Sequence, residues 1–505
     1  MELQISHDTL STAGSFCTVK CELPIETEIL ISDYLPQVFK IVKCFVKMVV
    51  LQKQLQTNRL SLDGYLRCIV YYQGENGQGL CQTEQKLPFS RAIDLPMLDY
   101  STYSIVVGGE TEYLNCRAVN QRRVEVRGAY EISAAIYPQI QQEVATSVSD
   151  CGAQQKQIPI CGTRCVASVD KLISADAEFT FDQPPAAVLD LSGISTVREI
   201  KLLSGKAVIK GDIQIEIIYR SAESTALRAQ RVPVSFHQIL DLDGITEICN
   251  CFCSVEAVGF TVTEETSEKN THRLSISALM HVRAYKEQNS TLVSDVFSTL
   301  YETNPEFNII AVEEMEKQLE ETATLSVTGP LPDENAQLIA CFVSFGLPEI
   351  SADAVQSGIK ARGVITIFCE NSLDEIESYE RPLELLIPLE TKTAPQDLHL
   401  ECWLTVRDIS CTVRGGTLDA AIVVQAEGVL LSRHANPVVS AVELGQTLSP
   451  CDPDVALRIY YAQGGEDLFD ISRKFHVSPA EMRTANNLSE DILTLPCRLL
   501  VPSIR

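Results

Sequence analysis

Three groups of closely spaced cysteines are the residues of this sequence that could bind a metal or form disulfides. The run Cys249-Asn250-Cys251-Phe252-Cys253 would present three thiols on one face of a strand, because side chains at i, i+2 and i+4 align. Cys17/Cys21 and Cys161/Cys165 are each spaced by four residues. A zinc site needs a further close pair of His or Cys ligands, and none of the seven histidines forms one with these cysteines. The pattern favours structural thiols, with a metal site or interchain crosslinking as the alternatives.

The motifs of common catalytic sites are not found in the sequence. There is no phosphate-binding loop, no Gly-x-Ser-x-Gly elbow and no His-Glu-x-x-His helix. Gly205-Lys206 lacks both the preceding glycine and the following hydroxyl residue of a phosphate-binding loop. No paired-carboxylate or nucleophile arrangement is recognisable either. We therefore expect a chain that is not an enzyme, and we expect no cofactor and no metal.

The elements that would position any site are mostly strands, and they repeat. Gly64–Tyr72 and Gly211–Arg220 each open with Gly and then alternate apolar and polar residues up to a Tyr, as half-buried strands do. Gly363–Glu370 is a fainter third copy, and the opening glycines are 147 and 152 residues apart. Offsets of that size indicate duplicated domains. Trp403, the only tryptophan, is expected to anchor the core of the third copy, with an exposed docking aromatic as the alternative.

Each copy continues after a polar break with a second run that contains a proline. These runs are Leu87-Pro88-Phe89, Val232-Pro233-Val234-Ser235-Phe236 and Arg381-Pro382-Leu383. The pattern predicts a mainly β chain of three tandem β-sandwich or barrel-like repeats followed by a small βααβ domain. The predicted domains are repeat 1 (1–140), repeat 2 (141–290), repeat 3 (291–435), a linker (436–455) and the C-terminal domain (456–505). Residues 138–170 also resemble a linker, and Glu313–Glu321 is predicted to be a helical lead-in to the third copy.

The composition of the chain changes from Leu457 onward. A short strand and a glycine turn precede a helix that has Glu466 and Asp467 at its N-terminus, where the helix dipole favours acids. A second helix follows, with Ser478 as its N-cap and Pro479 at its first position. A last strand closes the unit near its C-terminus. The predicted order is therefore β-α-α-β in fewer than about fifty residues.

This C-terminal segment resembles a LysM domain. The family's turn, aromatic and aliphatic positions, Asn pair and final strand are matched by Gly465-Glu466-Asp467-Leu468, Phe469, Ile471, Phe475, Asn486-Asn487 and Leu500-Val501-Pro502. Glu466 and Asp467 replace the family's usual Asp and Thr or Ser, and Pro496-Cys497 stands where a Gly turn is usual. The resemblance implies a groove between the first turn and the loop before the last strand, with Leu468 and Ile492 either lining it or packing. The candidate groove residues are Gly465, Glu466, Asp467, Leu468, Asn487, Leu488, Asp491 and Ile492.

The repeated segments resemble the SPOCS domain of spore-forming Firmicutes, including the Ile93-Asp94-Leu95 and Leu240-Asp241-Leu242 runs. Several such domains followed by one LysM is the layout of clostridial spore-envelope proteins that partner the ATPase of the coat's basement layer. The resemblance implies a protein of the mother-cell cytoplasm that helps attach the assembling coat to the forespore surface. It also implies a basement-layer coat protein, that ATPase, as the partner, with the LysM serving protein contact.

Charge and composition restrict the remaining function classes. The formal net charge of −26 argues against nucleic acid and anionic membranes as partners, because both would repel the chain. We find no signal peptide at the N-terminus and no stretch that approaches the roughly 20 apolar residues of a membrane span. These features favour a reducing cytoplasm for the 18 cysteines. The alternative function is a cell-wall protein whose LysM binds the N-acetylglucosamine chains of peptidoglycan.

Overall fold

The structure, a computed structural model, describes residues 3–56, 58–75, 79–222, 227–266, 271–353, 356–448 and 457–502. Most of these residues lie in strands, which confirms the prediction of a mainly β chain. The described residues contain two α-helices, both near the C-terminus, and neither has the length and apolar character needed to cross a membrane.

One arrangement of strands occurs three times along the chain, and we call the three sets modules 1, 2 and 3. Module 1 contains β1 Gln4–Ala13, β2 Cys17–Leu30, β3 Val38–Gln56, β4 Arg59–Gly74, β5 Leu80–Asp94, β6 Thr102–Asn120 and β7 Arg123–Ser149. Module 2 contains β8 Ala153–Thr180, β9 Pro185–Leu203, β10 Lys206–Ser221, β11 Leu227–Asp241, β12 Asn250–Thr266 and β13 Thr271–Ser298. Module 3 contains β14 Tyr301–Pro330, β15 Gln337–Phe345, β16 Glu349–Asp353, β17 Gln356–Glu370, β18 Ile376–Pro388, β19 Leu398–Arg414 and β20 Thr417–Thr447, with a 3₁₀ turn at Pro395–Asp397.

Each module consists of two antiparallel sheets. In module 2 the first, last and fifth strands pair as β8-β13-β12, and the middle three pair as β9-β10-β11. Module 1 has the same pairing with its first strand divided into β1 and β2, and module 3 has it with its second strand divided into β15 and β16. Buried residues from both sheets of a module share one apolar core, so each module is a β-sandwich.

The repeated glycine and the later aromatic residue of the sequence pattern face each other across neighbouring strands. Gly64 lies opposite Phe89, and Gly211 lies opposite Phe236. A Cβ atom at Gly64 would stand 2.1 Å from the carbonyl oxygen of Val49, and one at Gly211 would stand 2.6 Å from the Phe236 ring. Only glycine allows this close approach, and the ring covers the space that a side chain would fill. The spacing of the motif therefore follows from the strand register.

The three modules pack around a shared apolar centre, which we call the central core. The first and last strands of each module run past the sandwich as a paired extension. Each extension contributes two aliphatic residues at corresponding register positions, and module 3 adds Val312. The contributing pairs are Leu10 with Val144, Ile160 with Leu292, and Ile310 with Val438, and all six side chains are buried. Because one cluster takes residues from all three modules, the modules form one packed body.

Further apolar contacts join the modules in pairs. Modules 1 and 3 meet where the Tyr71 ring lies 5.2 Å from Phe342 and 5.3 Å from Phe368, measured between ring centroids. Modules 2 and 3 meet in a cluster that includes Tyr285 and Val429. A smaller cluster of Val49, Val258 and Leu279 joins modules 1 and 2.

The predicted domain boundaries fall inside strands. The breaks at 140/141, 290/291 and 435/436 lie within β7, β13 and β20, respectively, because the extensions that build the central core follow each sandwich. The linker predicted at 138–170 is therefore wrong, since it consists mainly of β7 and β8. In the linker predicted at 436–455, residues 436–447 are strand, and residues 449–455 lie outside the described part of the chain.

The helix predicted over Glu313–Glu321 is also wrong. These residues lie in β14, where Glu314 pairs with Ser432 and Leu319 with Gly428 of β20. Leu319 is 2% exposed and belongs to the core of module 3. The helix-forming tendency of Glu, Lys and Gln is a fraction of a kcal/mol per residue, on the order of 0.5, and pairing with a buried neighbouring strand outweighs it.

Candidate functional site

Residues 457–502 form a separate small unit, the C-terminal unit. It consists of β21 Arg458–Ala462, α1 Leu468–Phe475, α2 Pro479–Asn486 and β22 Cys497–Val501, and the two strands pair antiparallel. Its core is small and contains Ala462, Leu468, Ile471, Val477, Met482, Leu493, Leu499 and Val501.

Local polar contacts determine where the two helices begin and end. Asp467 is the N-cap of α1, and its carboxylate accepts a hydrogen bond from the backbone N–H of Phe469 at 2.8 Å. Ser478 precedes α2 but makes no side-chain capping bond, which differs from the expected N-cap contact. Asn487 ends α2 with φ of 52°, a left-handed conformation that asparagine tolerates. The side-chain amide of Asn486 donates to the carbonyl oxygen of Leu500 and accepts from the N–H of Leu500, and these two bonds hold α2 against β22.

The first turn of the unit and the loop before β22 are joined by backbone hydrogen bonds. The N–H of Leu468 donates to the oxygen of Asp491 at 2.7 Å, and the N–H of Leu493 donates to the oxygen of Glu466 at 2.9 Å. Asp467 and Ile492 face each other in an antiparallel bridge. The two segments named from the sequence therefore lie side by side and form one edge, which we call the groove edge.

The candidate groove residues differ in what they present. Gly465, Asn487, Asp491 and Ile492 are exposed, with Ile492 at 59%. Leu488 is half-buried and packs against the core of the unit. Gly465 and Ile492 are therefore available to a ligand along the groove edge, whereas the Asp491 carboxylate is paired with Arg483.

Two candidate groove residues have structural roles instead. Leu468 is 0% exposed, so its assignment as a groove-lining side chain is corrected: it packs in the core because α1 directs it inward. The Glu466 carboxylate is bound internally, since it accepts hydrogen bonds from the Tyr460 hydroxyl at 2.9 Å and the Gln463 N–H at 2.7 Å. Neither side chain is free for a partner.

The C-terminal unit docks on the end of module 2. The Phe469 ring meets Phe297 edge to face, with centroids 5.1 Å apart, and Arg473 forms an ion pair with Asp295. Lys156 of β8 forms an ion pair with the Asp467 carboxylate. One acidic group of the groove edge is therefore already paired with a lysine of module 2. We call these contacts the docking contact.

A buried ionic centre lies where the three modules meet, and it was not predicted from the sequence. Asp170 of module 2 lies 2.8 Å from Lys53 Nζ of module 1, 2.6 Å from His281 Nδ1 and 3.2 Å from Arg283 Nη1. Glu401 of module 3 is 1% exposed and lies 3.6 Å from Arg283 Nε. Charges of all three modules are thus paired away from water.

The ionic centre continues towards module 1 through His399. Its Nε2 lies 3.4 Å from Glu401, and its Nδ1 lies 3.0 Å from Glu313. The Ser104 hydroxyl of module 1 donates to Glu401 at 2.7 Å. Gln139 of module 1 donates to Glu313 at 3.4 Å and accepts from the Cys165 N–H of module 2 at 3.0 Å, so one side chain joins all three modules.

The pairing changes the pKa values of these groups. Burial alone would raise the pKa of Glu401, but the contacts with His399, Arg283 and Ser104 lower it to about 2. Burial would lower the pKa of His399, but Glu313 and Glu401 raise it to about 9. Burial opposes the charged form of Asp170 as well, yet His281, Lys53 and Arg283 hold the pKa of this carboxyl well below its usual range. His399 is therefore cationic at neutral pH, and Glu401 and Asp170 are anionic.

Trp403 was expected to anchor the core of module 3, but it lies beside the ionic centre instead. It is half-buried, its ring stacks on His281 with centroids 5.9 Å apart, and the Arg283 guanidinium lies 5.9 Å from its centroid. A signal for the centre exists in the sequence: His281 and Arg283 interrupt the apolar run of β13 at positions that are buried. That signal gives no indication of the partners, which come from other modules.

Comparison with known proteins gives one family. Residues 37–119 and 186–263 match the sequence model of the family described as SipL, SPOCS domain. The first segment spans β3 to β6 of module 1, and the second spans the corresponding β9 to β12 of module 2. No curated protein and no solved structure gives a significant match to the chain.

Proposed function

We propose that this SPOCS-domain protein is a non-enzymatic scaffold of spore-envelope assembly that binds a coat morphogenetic protein through its C-terminal unit. The SPOCS match over the same four strands of two modules carries the proposal, because it indicates a sporulation-related protein. Module 3 repeats the strand pairing, which supports a third SPOCS copy. On the resemblance described above, the partner is the ATPase of the coat's basement layer and the location is the forespore surface in the mother-cell cytoplasm.

The distribution of charge supports a division of labour between the modules and the C-terminal unit. Residues 456–505 contain six Lys or Arg and six Asp or Glu, so the whole net charge of −26 lies in residues 1–455. The modules would repel other acidic surfaces, whereas the neutral C-terminal unit can approach a protein of either sign. In this proposal the packed modules present the C-terminal unit in a fixed orientation through the docking contact.

Binding of the full chain to the purified basement-layer ATPase tests the proposal. We expect Ile492→Ala to weaken binding at least about tenfold, because it removes the exposed apolar side chain of the groove edge. Ile459→Ala is the matched control, since Ile459 is also exposed (50%) but lies on β21, outside the groove edge. Unchanged binding of the Ile492 variant, or equal loss in both variants, would reject the groove edge as the contact.

A second candidate function is binding of N-acetylglucosamine chains. The observation that favours it is the groove edge itself, where Gly465 and Ile492 are exposed and can offer backbone and apolar groups to a sugar. The same two variants are titrated with chitin oligomers and muropeptides. Glycan binding that Ile492→Ala removes, without any binding of the ATPase, would replace the scaffold proposal with this one.

A further inference from the structure

The strand β21 of the C-terminal unit has a free edge. It pairs with β22 on one side, and no other described strand pairs with it. Ala462 of β21 packs in the core of the unit, whereas Ile459 and Tyr461 point away from that core and are 50% and 66% exposed. None of the candidate groove residues lies on this strand. We call the side of Ile459 and Tyr461 that faces away from β22 the β21 edge.

The hydrogen bonds of the neighbouring strand determine which backbone groups the β21 edge presents. Leu500 of β22 directs its N–H and its carbonyl oxygen to the side chain of Asn486, and therefore away from β21. Ile459 faces Leu500, so these two residues exchange no hydrogen bonds, and Ile459 directs its own N–H and carbonyl oxygen away from β22. The pattern repeats at every second residue, so Tyr461 does the same. In the described residues these backbone groups have no hydrogen-bond partner.

The β21 edge is complementary to itself. When two copies pair antiparallel about Tyr460, Ile459 of each copy faces Tyr461 of the other. Each facing pair can then exchange two hydrogen bonds, because the free N–H groups lie opposite the free carbonyl oxygens. The pairing also places an aromatic side chain beside a β-branched one on both sides of the twofold axis, which is a favourable cross-strand contact. One register thus satisfies the backbone and the side chains of both copies.

Charge favours the C-terminal unit as the place where two copies meet. Residues 1–455 carry the whole net charge of −26, so the modules of two copies repel each other, whereas the C-terminal unit is neutral. Arg498 is the only charged side chain on the outward face of β21 and β22. In the paired sheet the two Arg498 side chains lie on the outer strands, at least roughly 14 Å apart. That distance exceeds the Debye length of about 8 Å at physiological ionic strength, so their repulsion is screened.

We propose that two copies of this chain associate through the β21 edge and form a four-stranded sheet, β22-β21-β21-β22, around a twofold axis. The strand has five residues, far fewer than the roughly 20–30 residues that each side of a standard interface contains. The dimer is therefore weak, with a dissociation constant on the order of 100 μM, and it forms where the protein is concentrated. This inference does not rest on the proposed function, because the contact proposed there is the groove edge.

Analytical ultracentrifugation of the full chain, at concentrations below and above this dissociation constant, tests the proposal. We expect the mass to rise from that of one chain to that of two, and hydrogen exchange of the Ile459 and Tyr461 amides to slow as the dimer forms. Tyr461→Pro removes an N–H that faces the free edge, so it should preserve the pairing with β22 but weaken the dimer at least about tenfold. Hydrogen exchange of α1, unchanged in this variant, checks that the unit remains folded.

Tyr461→Val is the matched control, because it keeps the N–H and introduces a side chain that suits a strand. Its dissociation constant should stay within about threefold of the wild-type value. The mass of one chain at every concentration, or a dimer that Tyr461→Pro leaves unchanged, would overturn the proposal. Slow exchange of both amides at every concentration would also overturn it, because the edge would then be covered within a single chain.

Discussion

The ionic centre and the docking contact both join separate parts of the chain, but they do so in different surroundings. In the ionic centre, Arg283 and Glu401 are 2% and 1% exposed, and the paired charges come from all three modules. In the docking contact, the ion pair Lys156–Asp467 has side chains that are 42% and 18% exposed. Coulomb interactions are much stronger where water is excluded, and an unpaired charge costs much more there. The first region should therefore control whether the modules fold together, and the second only where the C-terminal unit lies.

The largest expected effect comes from removing one charge of the ionic centre. Glu401→Ala leaves Arg283 and His399 without their shared carboxylate, and we expect the free energy of unfolding to fall by about 3–5 kcal/mol. The control is Glu199→Ala, which breaks the surface pair with Lys210 and should change the free energy of unfolding little, because water screens that pair. Urea denaturation measures both, and similar losses in the two variants would contradict the comparison.

A cavity in the central core should have a similar but somewhat smaller effect. Leu292→Ala removes a side chain that is 0% exposed and belongs to the cluster built from all three extensions, and we expect the free energy of unfolding to fall by about 2–5 kcal/mol. Because the core is shared, denaturant unfolding of the three modules should remain one transition at a lower midpoint. Leu373→Ala, at a position that is 78% exposed, is the control and should change little. Separate transitions for the modules would show that they do not fold as one body.

The pH dependence of stability should follow from His399. Its pKa is raised to about 9 in the folded protein, so its stabilising contribution is complete below the ordinary histidine value and is lost as the pH rises through about 9. Glu401 has a lowered pKa, so its contribution is lost as the pH falls from its ordinary value towards about 2. The loss at high pH should be smaller than that of Glu401→Ala, since Arg283 still faces Glu401. Urea midpoints should fall less steeply between pH 6 and 9.5 in His399→Gln than in the wild type. An unchanged slope would show that deprotonation of His399 does not cause the loss of stability at high pH.

At the docking contact we expect a local change. Phe469 is 7% exposed and lies against Phe297, so Phe469→Ala should weaken docking by about 1–3 kcal/mol. Hydrogen exchange of α1 should accelerate, whereas the unfolding midpoint of the modules should stay the same. A lower midpoint for the modules would mean that the two regions are coupled.

The smallest effect is expected for Lys156→Ala. This pair is partly exposed to water, and such pairs contribute at most about 1 kcal/mol. Hydrogen exchange of α1 in the wild type should move towards that of the variant as salt is added, because ions screen the pair. No salt dependence in the wild type would show that the aromatic contact alone holds the unit.

At the groove edge, the sequence predicted which segments lie together but not which side chains are exposed. Sequence similarity placed Gly465, Asp467, Asp491 and Ile492 together, and the backbone bonds between the two loops agree with that placement. It could not separate Leu468 from Ile492, since both are aliphatic and adjoin the same loops. Only the direction of each side chain distinguishes the buried residue from the exposed one.

The sequence by itself determined the strands and their repetition, because alternation of apolar residues and the Gly–Phe spacing are local consequences of register and close strand approach. Only the tertiary structure decided that the modules pack around one centre, that β7, β13 and β20 continue past their sandwiches, and that Asp170 and Glu401 have partners. The physical reason is distance along the chain: Lys53, Arg283 and Glu401 are far apart in sequence, and no local pattern specifies a charge pair that forms only when three modules meet.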